Sequence, residues 1–145
     1  MYIRDDKITI QMIKNHAVLD LSINKIVNGV NMPKSTRIKQ FKKFKENILA
    51  HFLVEEGSVF GFTAFTNSKI MQTIRGLLKE HAEMKRLVEL IEDDLRNDLD
   101  DHLGEFIKLM YKHQVVENTV FYPYLDKELP PEQREQVLAN IKQLL

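Results

Sequence analysis

The chain has no cysteine, and that absence removes several chemistries at once. Disulfides, iron–sulfur ligation and thiol catalysis are excluded, which leaves histidine and carboxylate as the only strong metal ligands. An excess of either charge is missing too, since 21 lysines and arginines face 21 aspartates and glutamates. No net field therefore points to nucleic acid or to an anionic membrane. No apolar run approaches the ~20 residues of a membrane helix, and the opening Met1-Tyr2-Ile3-Arg4-Asp5-Asp6 lacks the apolar core of a signal peptide. A soluble, cytoplasmic protein is the expectation.

Glycine and proline are scarce, five and four, and they fall where helices should break. Gly29 and Pro33 bracket the first break. Gly57, Gly61 and the polar Thr66-Asn67-Ser68 mark the second, and Pro130-Pro131 open the last element. Between these breaks apolar residues recur every three to four positions, not every two. The pattern predicts an all-α chain with helices over about 8–29, 35–57, 68–96 and 99–122, and a short amphipathic helix over about 131–144. Four long helices with short connections argue for an antiparallel four-helix bundle over about 8–125, the core of one domain spanning 1–145.

What is present is a repeated phrase, His-x-x-x-Glu: His51-Phe-Leu-Val-Glu55 and, 62 positions later, His113-Gln-Val-Val-Glu117. Four residues are one helical turn plus about 40°, so each histidine and its glutamate project from one face, about 6 Å apart in rise. Both side chains of such a pair can reach one metal centre, and two such helices facing each other could build a two-metal site.

The apolar stripes say where the histidines lie. Helix 1 runs Met12, His16, Leu19, Ile23, Ile26; helix 2 runs Ile38, Phe41, Phe44, Ile48, His51, Glu55. Helix 3 runs Ile70, Ile74, Leu77, His81, Met84, Val88, Ile91; helix 4 runs Leu99, Leu103, Phe106, Met110, His113, Glu117, Val120. One histidine interrupts each otherwise apolar seam. A single buried histidine is usually a hydrogen-bonded core residue. Six buried polar groups without partners, however, would cost several kcal/mol each against a net stability of about 5–15 kcal/mol. A metal cluster satisfies them together. Four imidazoles and two carboxylates exceed what one tetrahedral zinc uses and suit two ions, each with two imidazoles, bridged by both glutamates. The donor set favours iron, with manganese or zinc possible.

An internal duplication supports this grouping. His51-FLVEEGSVFGF62 aligns without gaps on His113-QVVENTVFYPY124, and Ile13-Lys-Asn-His16-Ala17 parallels Leu78-Lys-Glu-His81-Ala82. Each half is then a helix with a lone histidine followed by a helix with His-x-x-x-Glu.

These residues resemble the hemerythrin-like, HHE cation-binding family over about 8–125: His16; His51, Glu55, Glu56 and Phe60; the run Glu80-His81-Ala-Glu-Met-Lys-Arg-Leu; and His113, Glu117 and Phe121 to Pro123. The resemblance implies an up-and-down four-helix bundle holding a non-haem di-iron centre (Fe2+/Fe3+), oxo- or hydroxo-bridged. His16, His51, His81 and His113 would be terminal ligands, and Glu55 and Glu117 bridges. Oxygen-carrying members have His-x-x-x-His on the third helix; here Lys85 stands four after His81 and Leu77 four before. The set is similar to the four-histidine, two-glutamate members that sense iron or oxygen or repair iron centres. Fewer protein ligands leave positions open to O2, NO or peroxide. The repair proteins carry a cysteine-containing N-terminal segment that this sequence does not show. A redox enzyme (oxidase or peroxidase) or iron-delivery factor is the alternative function.

Other residues are weaker candidates. His102 lies 11 positions before His113, about 16 Å along a continuous helix, too far for the same cluster. Glu56 points about 100° from Glu55 and reads as a solvated or supporting carboxylate. Glu80 and Asp20 could accept hydrogen bonds from ligand imidazoles. Tyr111, Tyr122 and Tyr124 read as packing. The basic run from Lys34 to Lys45 and the acidic stretch from Glu92 to Asp101 read as solvated faces, able to complement each other in a homodimer.

Overall fold

In a computed structural model of the protein, residues 7–60 and 68–145 are described, and every regular element among them is helical. The order is α1 (Ile8–Val27), α2 (Lys34–Val54), a π-helical turn π1 (Glu55–Val59), α3 (Ser68–Arg96), α4 (Leu103–Val116), a second π-helical turn π2 (Glu117–Phe121), α5 (Tyr122–Glu128) and α6 (Pro131–Leu144). Gly61, Phe62, Phe65, Thr66 and Asn67 lie outside the described residues. No described helix is long and apolar enough to cross a membrane.

Helix boundaries follow local chemistry. Pro33 stands just before α2 with its carbonyl accepting the Arg37 amide, and Pro131 sits at the first position of α6, where a missing N–H costs nothing. The start of α1 is capped from afar: Asp126 accepts the amides of Ile8 (2.7 Å) and Thr9 (3.0 Å) and the Thr9 hydroxyl (2.6 Å). This ties the start of α1 to α5. Gly29 follows α1 where any Cβ would lie 2.8 Å from the Lys25 carbonyl oxygen.

Helix α1 packs on α2, α2 on α3 and α3 on α4, while α5 returns against α1 and α6 covers α1 and α2. Two apolar clusters fill the interior. One gathers Leu19, Ile23, Phe41, Phe44, Met84, Val88 and Phe106; the other gathers Ile8, Met12, Phe60, Ile74, Phe121, Leu125, Val137 and Ile141. On each long helix the histidine falls between them. Along α1, for example, Met12 belongs to one cluster, Leu19 to the other, and His16 lies between. Each fully buried apolar side chain contributes about 1.5–3 kcal/mol, so the histidine layer is held from both sides.

The structure corrects the expected fourth helix. Its start is Leu103, not 99, and Leu99 is 48 % exposed. Asp98 takes a left-handed φ of 57°, and the Leu99 amide reaches back to the Asp94 carbonyl at 2.8 Å, the closure that ends α3. Only glycine occupies that conformation without strain. Asp98→Gly is therefore expected to stabilise the fold by up to about 1 kcal/mol, because the left-handed region costs ordinary residues roughly 1–2 kcal/mol and aspartate less. The lost Lys34–Asp98 pair (3.3 Å, exposed) contributes little. A urea titration reads the gain as a higher midpoint at unchanged slope.

The two charged runs pair within the chain: Lys34 with Asp98, and Lys45 with Glu89 (2.6 Å) and Glu92 (3.0 Å).

Candidate metal centre

The structure brings all six predicted residues together at the layer between the clusters. His16, His51, His81 and His113 are at most 3 % exposed, and Glu55 and Glu117 are fully buried. The imidazoles converge in pairs by half: His16 and His51 approach at 3.3 Å between Nε2 atoms, and His81 and His113 at 3.1 Å. Each glutamate reaches one histidine of each pair. Glu117 Oε1 lies 3.1 Å from His16 Nε2 and its Oε2 3.2 Å from His113 Nε2; Glu55 Oε1 lies 3.1 Å from His51 Nε2 and 3.3 Å from His81 Nε2. A cation with donor bonds of about 2.1 Å holds neighbouring donors about 3.0 Å apart in octahedral and about 3.4 Å apart in tetrahedral geometry. The observed spacings fall between these. Two groups, Glu55–His81–His113–Glu117 and His16–His51–Glu117, can each hold a metal ion.

The outward ring nitrogens say which proton each imidazole carries. His51 Nδ1 meets Asn15 Oδ1 at 2.6 Å, His16 Nδ1 meets Asn118 Oδ1 at 2.9 Å, and His113 Nδ1 meets Glu80 Oε1 at 3.0 Å. These oxygens only accept, so Nδ1 donates and Nε2 is the nitrogen left to face a cation, as a metal-bound histidine requires. His81 is the exception. Its Nδ1 makes no hydrogen bond, with Glu56 Oε1 3.9 Å away and Glu56 held instead by Lys85 at 3.0 Å. Inside, Glu55 Oε1 and both Glu117 oxygens accept no hydrogen bond at all. A buried carboxylate left this way is costly, and a cation among these nitrogens removes the cost.

Both glutamates open a π-helical turn, and the amides of Phe60 and Tyr122 bond back five residues to the Glu55 and Glu117 carbonyls. The wider turn aims the residue five after each glutamate toward the centre. Phe60 faces His81 with ring centroids 5.6 Å apart, and Tyr122 faces His16 at 5.7 Å. Val120, expected on the apolar seam, is rotated out and 50 % exposed. The Tyr122 hydroxyl donates to Glu55 Oε2 at 3.0 Å and lies 3.3 Å from His16 Nε2 and 3.4 Å from His51 Nε2. Tyr122 is therefore part of the site, not simple packing.

Electrostatically the layer is strained without a cation. Burial raises Glu117, and the Glu55 charge raises it further, up to about 7. Burial is the largest influence on Glu55 and opposes its ionisation, but His51, Glu117 and His81 together outweigh it and Glu55 stays well below the ordinary carboxylate range. His113 is pulled down by burial yet held up to about 9, mainly by the Glu117 charge. His16 is lowered, chiefly by burial. Burial and the two glutamate charges push the Tyr122 phenol well above its usual value. Glu117 and His113 both have folded-state values above their unfolded ones (4.5 and 6.5), so their stabilisation is complete below the unfolded values and lost as pH rises through about 7 and 9. Between pH 6.5 and 9 the metal-free protein is expected to melt at progressively lower temperature. Metal-loaded protein should trend the other way over the same range, because protons compete for the ligands. Melting curves with and without chelator read both slopes.

Of the weaker candidates, Glu80 supports His113 as expected. Asp20 instead accepts a hydrogen bond from Gln114 at 3.0 Å, and His102 pairs with Asp94 at 2.7 Å at the start of α4, outside both ligand groups. Asn15 and Asn118 were not singled out from sequence. The repeat carried the signal: Asn15 precedes His16 as Glu80 precedes His81, and Asn118 follows Glu117 as Glu56 follows Glu55.

Fold and site together define a helical protein with a buried histidine–glutamate site suited to cations. Residues 11–125 match the hemerythrin HHE cation-binding domain, and the chain belongs to that family. Comparison with individual curated proteins and with solved structures gives no match.

Proposed function

We propose that the chain is a non-haem di-iron protein, an up-and-down antiparallel four-helix bundle that binds or senses a small molecule such as O2 or NO. His16, His51, His81 and His113 hold the two irons, and Glu55 and Glu117 span them. The carrying observation is the polarity of the layer: imidazoles with Nε2 turned inward and three outward nitrogens tied, around three carboxylate oxygens that accept nothing. The antiparallel arrangement is supported by the short 28–33 and 97–102 connections between neighbouring helices. Iron suits the mixed imidazole and carboxylate set, and manganese or zinc would use the same donors.

Bound iron would supply open coordination positions and a one-electron redox change. The chain's own residues orient the donors, keep bulk water out and limit what enters. The hollow beside the centre measures about 10 Å³ and is walled by Leu19, Ile48, Phe52, Met84 and Met110. That is about the room for one water-sized molecule. A diatomic ligand fits this scale, and larger substrates do not.

Metal analysis of protein loaded anaerobically with ferrous iron tests the reading. Two irons per chain are expected, with the absorption of a bridged ferric pair on oxidation and a reversible spectral change on exposure to O2 or NO. A folded, metal-free protein that refuses iron would end it. Sustained consumption of NO or peroxide would move the reading to the redox-enzyme alternative.

A further inference from the structure

Duplication predicts two equal metal positions, but the structure supplies them unequally. The His16–His51 pair has a fifth polar atom beside it, after its own two nitrogens and one oxygen from each glutamate. Tyr122 Oη lies 3.3 Å from His16 Nε2, 3.4 Å from His51 Nε2 and 3.0 Å from Glu55 Oε2. These lie within about 0.1 Å of the spacings that separate the histidine and glutamate donors from one another, 3.1 to 3.3 Å. The hydroxyl thus occupies a corner of the same donor polyhedron. The repeat-related position by the other pair is Phe60, whose ring faces His81 while Phe52 stacks on it at 4.0 Å. Among the described residues, the His81–His113 pair has carbon where the first pair has oxygen.

Resting on the di-iron reading, we propose that Tyr122 is a metal ligand: its oxygen coordinates the ion held by His16 and His51. Coordination exchanges the phenolic proton, which leaves to solvent, for the cation; the oxygen keeps its electron pair and no redox change is involved. The hard, anionic oxygen selects a ferric ion in particular. One position then has five protein donors (His16, His51, Glu55, Glu117, Tyr122) and the other four (His81, His113, Glu55, Glu117). Full burial of Tyr122 and π2, which places its amide on the Glu117 carbonyl, hold the oxygen there before any ion arrives.

The test is resonance Raman and visible absorption of the full chain loaded with iron and oxidised. The expected result is a phenolate-to-iron charge-transfer band whose excitation enhances tyrosinate ring vibrations. In Tyr122→Phe, which keeps the ring and the packing, band and vibrations are lost while metal analysis still finds iron bound. Tyr111→Phe and Tyr124→Phe leave the band in place. Two bound irons with no tyrosinate vibrations in the unmodified chain would overturn this proposal and leave the di-iron reading intact. A band that survives Tyr122→Phe would likewise overturn it. Failure of the unmodified chain to take up iron would overturn both.

Discussion

Stripping the metal with a chelator is expected to lower the thermal midpoint of the loaded protein by about 25 °C. An ion present at about a thousand times its dissociation constant stabilises the folded state by about 4 kcal/mol, so two ions add about 8 kcal/mol. For a chain of this size each kcal/mol moves the midpoint by about 2–4 °C. The physical source is the layer between the two clusters. Without a cation, buried Glu55 and Glu117 repel each other, and their unpaired oxygens have exchanged water for nothing. With one, the same groups become ligands. Calorimetry before and after chelation measures the shift. A change of only a few degrees would mean that the layer is satisfied without metal and would count against the reading of the site.

Phe106→Ala should be among the most damaging single truncations away from the metal layer, costing about 3–5 kcal/mol. The ring is fully buried and meets Phe44 edge-on at 5.7 Å, with Phe41 beyond it at 5.9 Å from Phe44. Removing it opens a cavity among aromatic neighbours that have no small residue to move in. The midpoint should fall by about 10 °C or more. Phe106 stands about 10 Å along α4 from His113, so metal content per folded chain should be unchanged. Denaturant unfolding gives the first quantity and metal analysis the second; a loss of bound metal would show that the cluster and the layer are not separable.

The stripes on α1 and α3 were fully legible. Met12, His16, Leu19, Ile23 and Ile26 are buried together, as are Ile70 through Ile91 at the expected positions. Burial on a straight helix depends on spacing alone, and spacing is what a sequence displays. Leu99 failed for a different reason. Its spacing fits the α4 seam, but the left-handed Asp98 breaks the ladder before it, and aspartate is a weaker sign of that conformation than glycine. Val120 failed because π2 contains one residue more per turn than the spacing rule assumes, so the inward positions become Phe121 and Tyr122. The same widening hid Tyr122. Its place at the centre could have been inferred only by pairing it with Phe60 across the repeat and asking why one is a phenol.

The two π-helical turns also make the chain a ruler. Between Glu55 and Phe60, and between Glu117 and Tyr122, five steps bring donor and aromatic to one side. Deleting one residue there would restore an ordinary helix and swing everything downstream by about 100°. The connectors at 28–33 and 97–102 hold none of the buried histidines and glutamates of the layer, so residues added or dropped there shift numbering without shifting that layer. Drift in length is open at those connectors and closed within the two wide turns.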